Sequence, residues 1–345
     1  MPKLTPKQNY MRLFSGEIPE YIPRYNYFTP GDQNPANLQV MPMPKRDPNA
    51  APFGKDGFVN MFGVKYVTSA STGYAGLPEP GNFILKDIRD WKKVIKTPDI
   101  SDVSESAWED MAKKDMERMK LNREMTALAL GPGGGVFQDL MSFMGFTEGL
   151  CAMAEEPDEV KELFDYLTDY YAEICKKGIR YYKPDFIQMA DDNASKLQPF
   201  ISLATFKDEL LPFYDKVMAP AREAGIPGQM HDCGRCEEFM DDYYAIGIRA
   251  WDPAQTTNDL DAFKKKWGRK FAFLGGWDWN PPESYPEVDE EWVRQTVRDC
   301  IDRYAPGGGF GWSAGVVAAD GDTAGMTVNK WLQDEVVKYG ENFYA

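Results

Sequence analysis

The chain has 345 residues, with 39 Lys plus Arg against 54 Asp plus Glu and a formal charge of -15. That negative surplus repels a phosphate backbone and excludes nucleic acid as a partner, while the length admits one large barrel or two ordinary domains. Five unevenly spaced cysteines make no disulfide framework, and with no apolar leader and no run of about eighteen apolar residues the sequence reads as cytoplasmic, neither exported nor membrane-spanning.

From about Ser15 to Gly81 the sequence is rich in Pro, Gly, Asn and aromatics, as in Tyr21-Ile22-Pro23-Arg24-Tyr25-Asn26-Tyr27-Phe28, and lacks sustained periodicity. Disordered tracts do not carry so many aromatic and Met side chains, so this stretch reads as irregular structure wrapped on a larger body. After Ile100 short apolar runs alternate with amphipathic stretches. The runs are 125–130, 186–190, 228–230, 248–251, 271–274 and 309–312; the helical stretches include 157–176 and 203–224. Such alternation implies a parallel sheet covered by helices. With six such units and no dinucleotide fingerprint at the first turn, the pattern predicts an α/β fold of the (β/α)8 TIM-barrel type. Residues 1–345 form one domain in this reading, with 1–100 an irregular and helical N-terminal segment packed on the barrel.

Residues at strand C-termini line the active face of a barrel. The sequence places there Gly131-Pro132-Gly133-Gly134-Gly135, Asp191-Asp192-Asn193, His231-Asp232-Cys233, Asp252, Asp278 and Ser313. His231 is the only histidine of the chain and stands two positions before Cys233. On an extended strand i and i+2 face the same side, so imidazole and thiol can close on one soft metal ion, zinc foremost. A satisfied core histidine is the competing reading. Cys233-Gly234-Arg235-Cys236 also has the spacing of a redox pair, but its surroundings lack the thioredoxin-type context. Asp191 and Asp192 point to opposite faces if the strand continues, and one of them can equally cap a helix. Gly133 and Gly134 offer backbone amides or close approach to a cofactor, without the Lys of a phosphate-binding loop; Asp278 joins them as a cofactor-contact candidate.

From about Leu128 to Gly315 the chain resembles the uroporphyrinogen decarboxylase superfamily. The resemblance rests on Gly131-Pro132 with Phe137, Met144-Gly145-Phe146, Glu156-Pro157-Asp158-Glu159-Val160, Lys183-Pro184-Asp185-Phe186-Ile187, Asp191-Asp192, Leu211-Pro212-Phe213, His231-Asp232-Cys233-Gly234, Ile246-Gly247-Ile248, Trp267-Gly268 and Gly275-Gly276-Trp277-Asp278, in collinear order. True decarboxylases of the superfamily carry an arginine-rich N-terminal segment that cradles tetrapyrrole carboxylates; Ile22-Pro23-Arg24-Tyr25-Asn26-Tyr27 stands there instead. The corrinoid-dependent methyltransferases are the other branch. Their coenzyme M members hold zinc with a His-x-Cys pair and a later Cys near the last strand, and Trp312-Ser313-Ala314-Gly315 has no Cys.

The resemblance therefore implies the O-demethylase type: methyl transfer from a methyl ether, aromatic by preference, to the Co(I) corrinoid of a separate carrier protein. It implies zinc on His231 and Cys233, with Asp191, Asp192 or Glu209 completing the set. His231, Asp191 and a tyrosine, Tyr25 or Tyr27, are the residues expected to assist the leaving oxygen. The alternatives are a coenzyme M-type thiol methyltransferase and a tetrapyrrole decarboxylase-like lyase.

Overall fold

A computed structural model describes residues 4–25, 36–45, 57–69, 75–281, 288–318 and 321–344. Helix α1 (Pro6–Ser15) is written into its local sequence. Thr5 and Gln8 form a capping box, Pro6 sits in the first turn where a missing N–H costs nothing, and Gly16 ends the helix at φ 72°. Strand β1 (Asn37–Val40) follows, then three very short strands, β2 (Phe58–Val59), β3 (Lys65–Val67) and β4 (Leu77–Pro78), which pair antiparallel as a separate sheet. Helices α2 (Trp91–Val94) and α3 (Glu105–Arg118) lead into the repeating part.

That part runs β5 (Ala127–Leu130), α4 (Val136–Met144), α5 (Phe146–Glu155), α6 (Pro157–Tyr182), β6 (Phe186–Ala190), α7 (Leu203–Glu209), α8 (Leu211–Glu223), β7 (Gly228–His231), α9 (Met240–Ala245), β8 (Ile248–Ala254), α10 (Leu260–Trp267), β9 (Ala272–Gly275), α11 (Glu290–Tyr304), β10 (Phe310–Gly311) and α12 (Thr323–Gly340). The main sheet is parallel and seven-stranded in the order β1-β5-β6-β7-β8-β9-β10. Beyond β10 an extended segment bridges parallel to it, Arg24 against Trp312, with Tyr25 N–H donating to the Trp312 carbonyl at 2.9 Å. All six expected runs are strands of this sheet. The N-terminal segment contributes β1 to the sheet itself, which the irregular composition of 15–81 conceals.

The stretch 203–224, expected as one helix, is two. Pro212 has no N–H to give to the carbonyl four residues back and its ring crowds that carbonyl, so the chain leaves helical geometry at Leu210 (φ -121°) before resuming.

Two cores result. On the inner face the strands carry Ala127, Ala129, Ala250 and Ala272, whose small side chains leave room that Tyr10, Phe14 and Tyr25 fill from the N-terminal segment. Phe14 and Phe186 lie 4.9 Å apart between ring centroids, Tyr10 and Phe186 5.9 Å. Burial of each such ring contributes roughly 1.5–3 kcal/mol, which is why α1 is bound to the base of the sheet although it precedes it in sequence. The outer core is larger and joins the helices to the sheet. A buried ion triad, Glu335 with Arg294 at 3.2 Å and Arg298 at 2.7 Å, ties α12 to α11.

Candidate metal centre

Strand register builds the centre. Ala190 on β6 is level with His231 on β7, and His231 is level with Asp252 on β8. Neighbours in a parallel register share a face, so the imidazole and the Asp252 carboxylate meet side by side at the C-terminal edge of the sheet. His231 Nδ1 lies 2.7 Å from Asp252 Oδ2. This contact holds a proton on Nδ1 facing the carboxylate, so that Nε2, once it gives up its own proton, presents an electron pair to a metal.

Nε2 faces Cys233 Sγ at 3.6 Å, as the i, i+2 spacing predicts. The third member comes from the loop after β6: Asp192 Oδ1 accepts the Cys233 N–H at 3.0 Å and Oδ2 accepts from Gln138 Nε2 at 2.9 Å. Donor atoms of Asp192, His231 and Cys233 all lie within 4.8 Å of one another. Donors about 2.0–2.3 Å from a tetrahedral zinc stand about 3.4–3.8 Å apart; the His231–Cys233 pair already has that spacing. Burial opposes a charged imidazole, but Asp252 and Cys233 outweigh it and raise the His231 pKa well above its ordinary value, while burial raises that of the Cys233 thiol. A metal ion here displaces protons as it binds.

Behind Asp252 a buried chain of amides and phenols fixes the assembly. Gln229 Nε2 donates to Asp252 Oδ1 at 2.7 Å while Gln229 Oε1 accepts from the Tyr10 hydroxyl at 2.7 Å, and Gln188 Nε2 donates to the same Asp252 Oδ1 at 3.4 Å. Tyr25 is buried in this layer, its hydroxyl 3.4 Å from Gln188 Oε1, below the cluster. Tyr27 lies outside the described residues.

The other sequence candidates fall elsewhere. Asp191 is 1% exposed and turns away from the cluster, accepting the Phe137 and Gln138 N–H groups at 2.9 Å each and the Tyr214 hydroxyl at 2.7 Å. It caps α4 from a neighbouring loop, and burial raises its pKa well above the ordinary value against those bonds. Glu209 ends α7 in the helical layer, its charged neighbours Lys161 and Asp208, and it is not part of the donor cluster. Asp278 is exposed and accepts from the N–H of Thr256 at 3.0 Å and from its hydroxyl. Cys236 is fully buried with its thiol on the Asp232 carbonyl at 3.4 Å.

A cavity of about 990 Å³ adjoins the cluster, and Asp192 lines both. Its wall is mostly apolar, with Met41, Phe58, Phe62, Phe137 and Phe146 among the lining residues, and the small antiparallel sheet forms one side. Gly133 and Gly134 line it at φ 90° and 103°. A side chain at Gly133 would meet the Tyr171 ring at 2.5 Å, so glycine there admits that ring to the wall. Sequence reasoning passed over Asp139, Tyr171 and Tyr66 of this wall. The signal for Asp139 was present: it is the only charge in the apolar helix Val136-Phe137-Gln138-Asp139-Leu140-Met141-Ser142-Phe143-Met144.

A parallel α/β sheet with a three-donor cluster at its C-terminal edge and an apolar cavity above it defines the class. Residues 75–317 match the uroporphyrinogen decarboxylase (URO-D) family, and the chain belongs to that family. Among solved structures it is similar to a methyltransferase from Methanosarcina mazei at 12% identity and a TM-score of 0.60, over 98% of this chain and 99% of that one; at this identity the likeness concerns the fold. No curated protein matches the chain. No helix among the described residues is long and apolar enough to cross a membrane.

Proposed function

We propose that this URO-D family protein is a methyltransferase of the O-demethylase type, taking the methyl group of a methyl ether and passing it to the Co(I) corrinoid of a separate carrier protein. The observation that carries the reading is that Asp192 belongs at once to the donor cluster and to the wall of a largely aromatic and Met-lined cavity. A small methoxyaromatic fits such walls by ring contact. The methyltransferase fold neighbour agrees with group transfer in this family. In this reading the chain forms a single domain whose sheet closes as a (β/α)8 barrel through the segment at Arg24, between β10 and β1.

The chemical difficulty is the leaving oxygen. Zinc held by His231, Cys233 and Asp192 would supply a Lewis acid for the charge that develops there, worth several kcal/mol in comparable sites. The chain's own residues do the rest. Asp252 fixes the His231 tautomer, Gln138 and the Cys233 N–H fix Asp192, and the apolar wall excludes water. Tyr25 and Asp191, expected from sequence to handle protons, act here as supports for Gln188 and for α4.

The alternatives fare worse. A coenzyme M-type site needs a third soft ligand, and Cys236 is turned to a backbone carbonyl. A lyase for a polyacidic tetrapyrrole needs converging cations, and Lys45 is the only Lys or Arg among the described residues lining the cavity. The test is metal analysis of wild type and His231→Ala, followed by methoxyarene demethylation with a corrinoid carrier. About one zinc per chain that disappears with the imidazole, together with its demethylation, is expected. Normal turnover by His231→Ala removes the cluster from the mechanism.

A further inference from the structure

Within its mostly apolar wall the cavity carries a polar island. Asp139 on α4 accepts the Tyr171 hydroxyl of α6 on Oδ2 at 2.6 Å. Ser142 donates to the Asp139 carbonyl at 2.8 Å, and Tyr66 on β3 bonds to Ser142 and Asn60. All five line the cavity. Asp139 makes no ion pair among the described residues, although this chain pairs most of its helical carboxylates, and an unpaired carboxylate in an apolar wall is costly to charge. The missing side chain at Gly133 is what lets Tyr171 reach it. The preceding residue, Gln138, holds Asp192, so adjacent residues of α4 reach the island and the donor cluster, and Asp139 and Asp192 line the same cavity.

Resting on the methyl-transfer reading above, we propose that Asp139, held by Tyr171, is the acid that protonates the departing ether oxygen. As the carbon–oxygen bond breaks, the methyl carbon bonds to the nucleophile, the Co(I) corrinoid of the carrier. The bonding electron pair stays on oxygen, and the Asp139 carboxyl proton moves to it. The products are a neutral phenol or alcohol and an Asp139 carboxylate that the Tyr171 hydroxyl stabilises; solvent returns the proton once the product leaves. Burial places the Asp139 pKa at about 7, where an acid serves near neutral pH. The groups facing it are Tyr171 of α6 with Tyr170 beside it, Tyr66 of β3 and Asp191 after β6; Asp192 lines the same cavity, and Lys45 is the one cation on the described cavity wall.

A leaving-group series tests the step, with free cob(I)alamin as acceptor and wild type compared with Asp139→Asn. The proposal expects 4-methoxytoluene, whose phenolate leaves badly, to slow by about 100-fold or more, and 4-nitroanisole, which needs little protonation, to slow by under about threefold. Equal losses on both ethers make Asp139 a packing residue and overturn the proposal alone. Absence of transfer from every ether by the wild type overturns the methyl-transfer reading and the acid role with it. Binding gives a readout free of turnover: 2,4-dinitrophenolate, ionised throughout the range, needs a protonated partner. Its affinity for wild type falls by about tenfold per pH unit above neutrality and stays level for Asp139→Asn. Tyr171→Phe removes a bond that favours the carboxylate, so its falling limb moves to higher pH. A level profile in wild type overturns the proposal.

Discussion

Asp252 holds His231 from behind, Oδ2 to Nδ1 at 2.7 Å, and is itself 1% exposed and anchored on its other oxygen by Gln229. The cluster's geometry is therefore decided one layer beneath the donors. Asp252→Asn keeps the shape but can turn its amide nitrogen toward the ring, which inverts the tautomer or frees the imidazole. Zinc affinity is expected to fall by about 10- to 100-fold, with little loss of folded protein. Competition with a chromophoric chelator measures it; unchanged affinity leaves Asp252 no role in the centre.

Asp191 is adjacent in sequence to a cluster residue yet works in the opposite direction. Its three acceptor contacts satisfy the first N–H groups of α4 and the buried Tyr214 hydroxyl. Asp191→Ala strands these groups and is expected to cost about 3 kcal/mol in urea denaturation, with zinc content retained in the folded fraction. Loss of zinc at unchanged stability would place Asp191 in the centre after all.

How far the sequence foretold this can be judged residue by residue. The parallel sheet was legible because each strand is a short apolar run followed by a turn, and His231 with Cys233 was legible because strand geometry needs only i, i+2. Asp192 was legible as half of a pair, but nothing in Asp191-Asp192 says which carboxylate faces the cluster; hydrogen bonds to α4 decide that. Asp252 was visible as a strand-end residue, but its partnership with His231 depends on the register between β7 and β8. Glu209 was drawn from resemblance, and the helical layer holds it apart from the cluster. Strands β2 to β4 are two or three residues long, below what alternation can reveal.

Gly133 sits at φ 90° with the Tyr171 ring where a side chain would be. Gly133→Ala therefore meets two penalties, a left-handed backbone for a residue with a Cβ and a clash with a ring that is itself bonded to Asp139. A loss of about 1–3 kcal/mol is expected, and substrate binding should weaken as Tyr171 is pushed from the wall. Thermal melting and titration with a methoxyarene check the two effects. A variant that melts and binds like wild type would mean that Tyr171 has room the structure does not show.

Asp139 also leaves a mark on stability against pH. Burial raises its carboxyl from the ordinary 3.8 to about 7. Between about pH 4 and pH 7 the unfolded chain has given up this proton and the folded chain keeps it, so the folded state binds more protons and stability falls as pH rises; above about pH 7 both forms are ionised and the contribution is level. Asp139→Asn cannot titrate. Relative to wild type the variant is therefore expected to gain stability as pH climbs through that window, by at most about 4 kcal/mol. Asp232, also raised to about 7 by burial, is present in both proteins and drops out of the difference. Urea midpoints of the two proteins at half-unit steps of pH measure the gap. A gap that stays constant from pH 4 to pH 7 would show that Asp139 ionises as freely in the folded protein as in the unfolded chain, and that the cavity wall does not hold its proton.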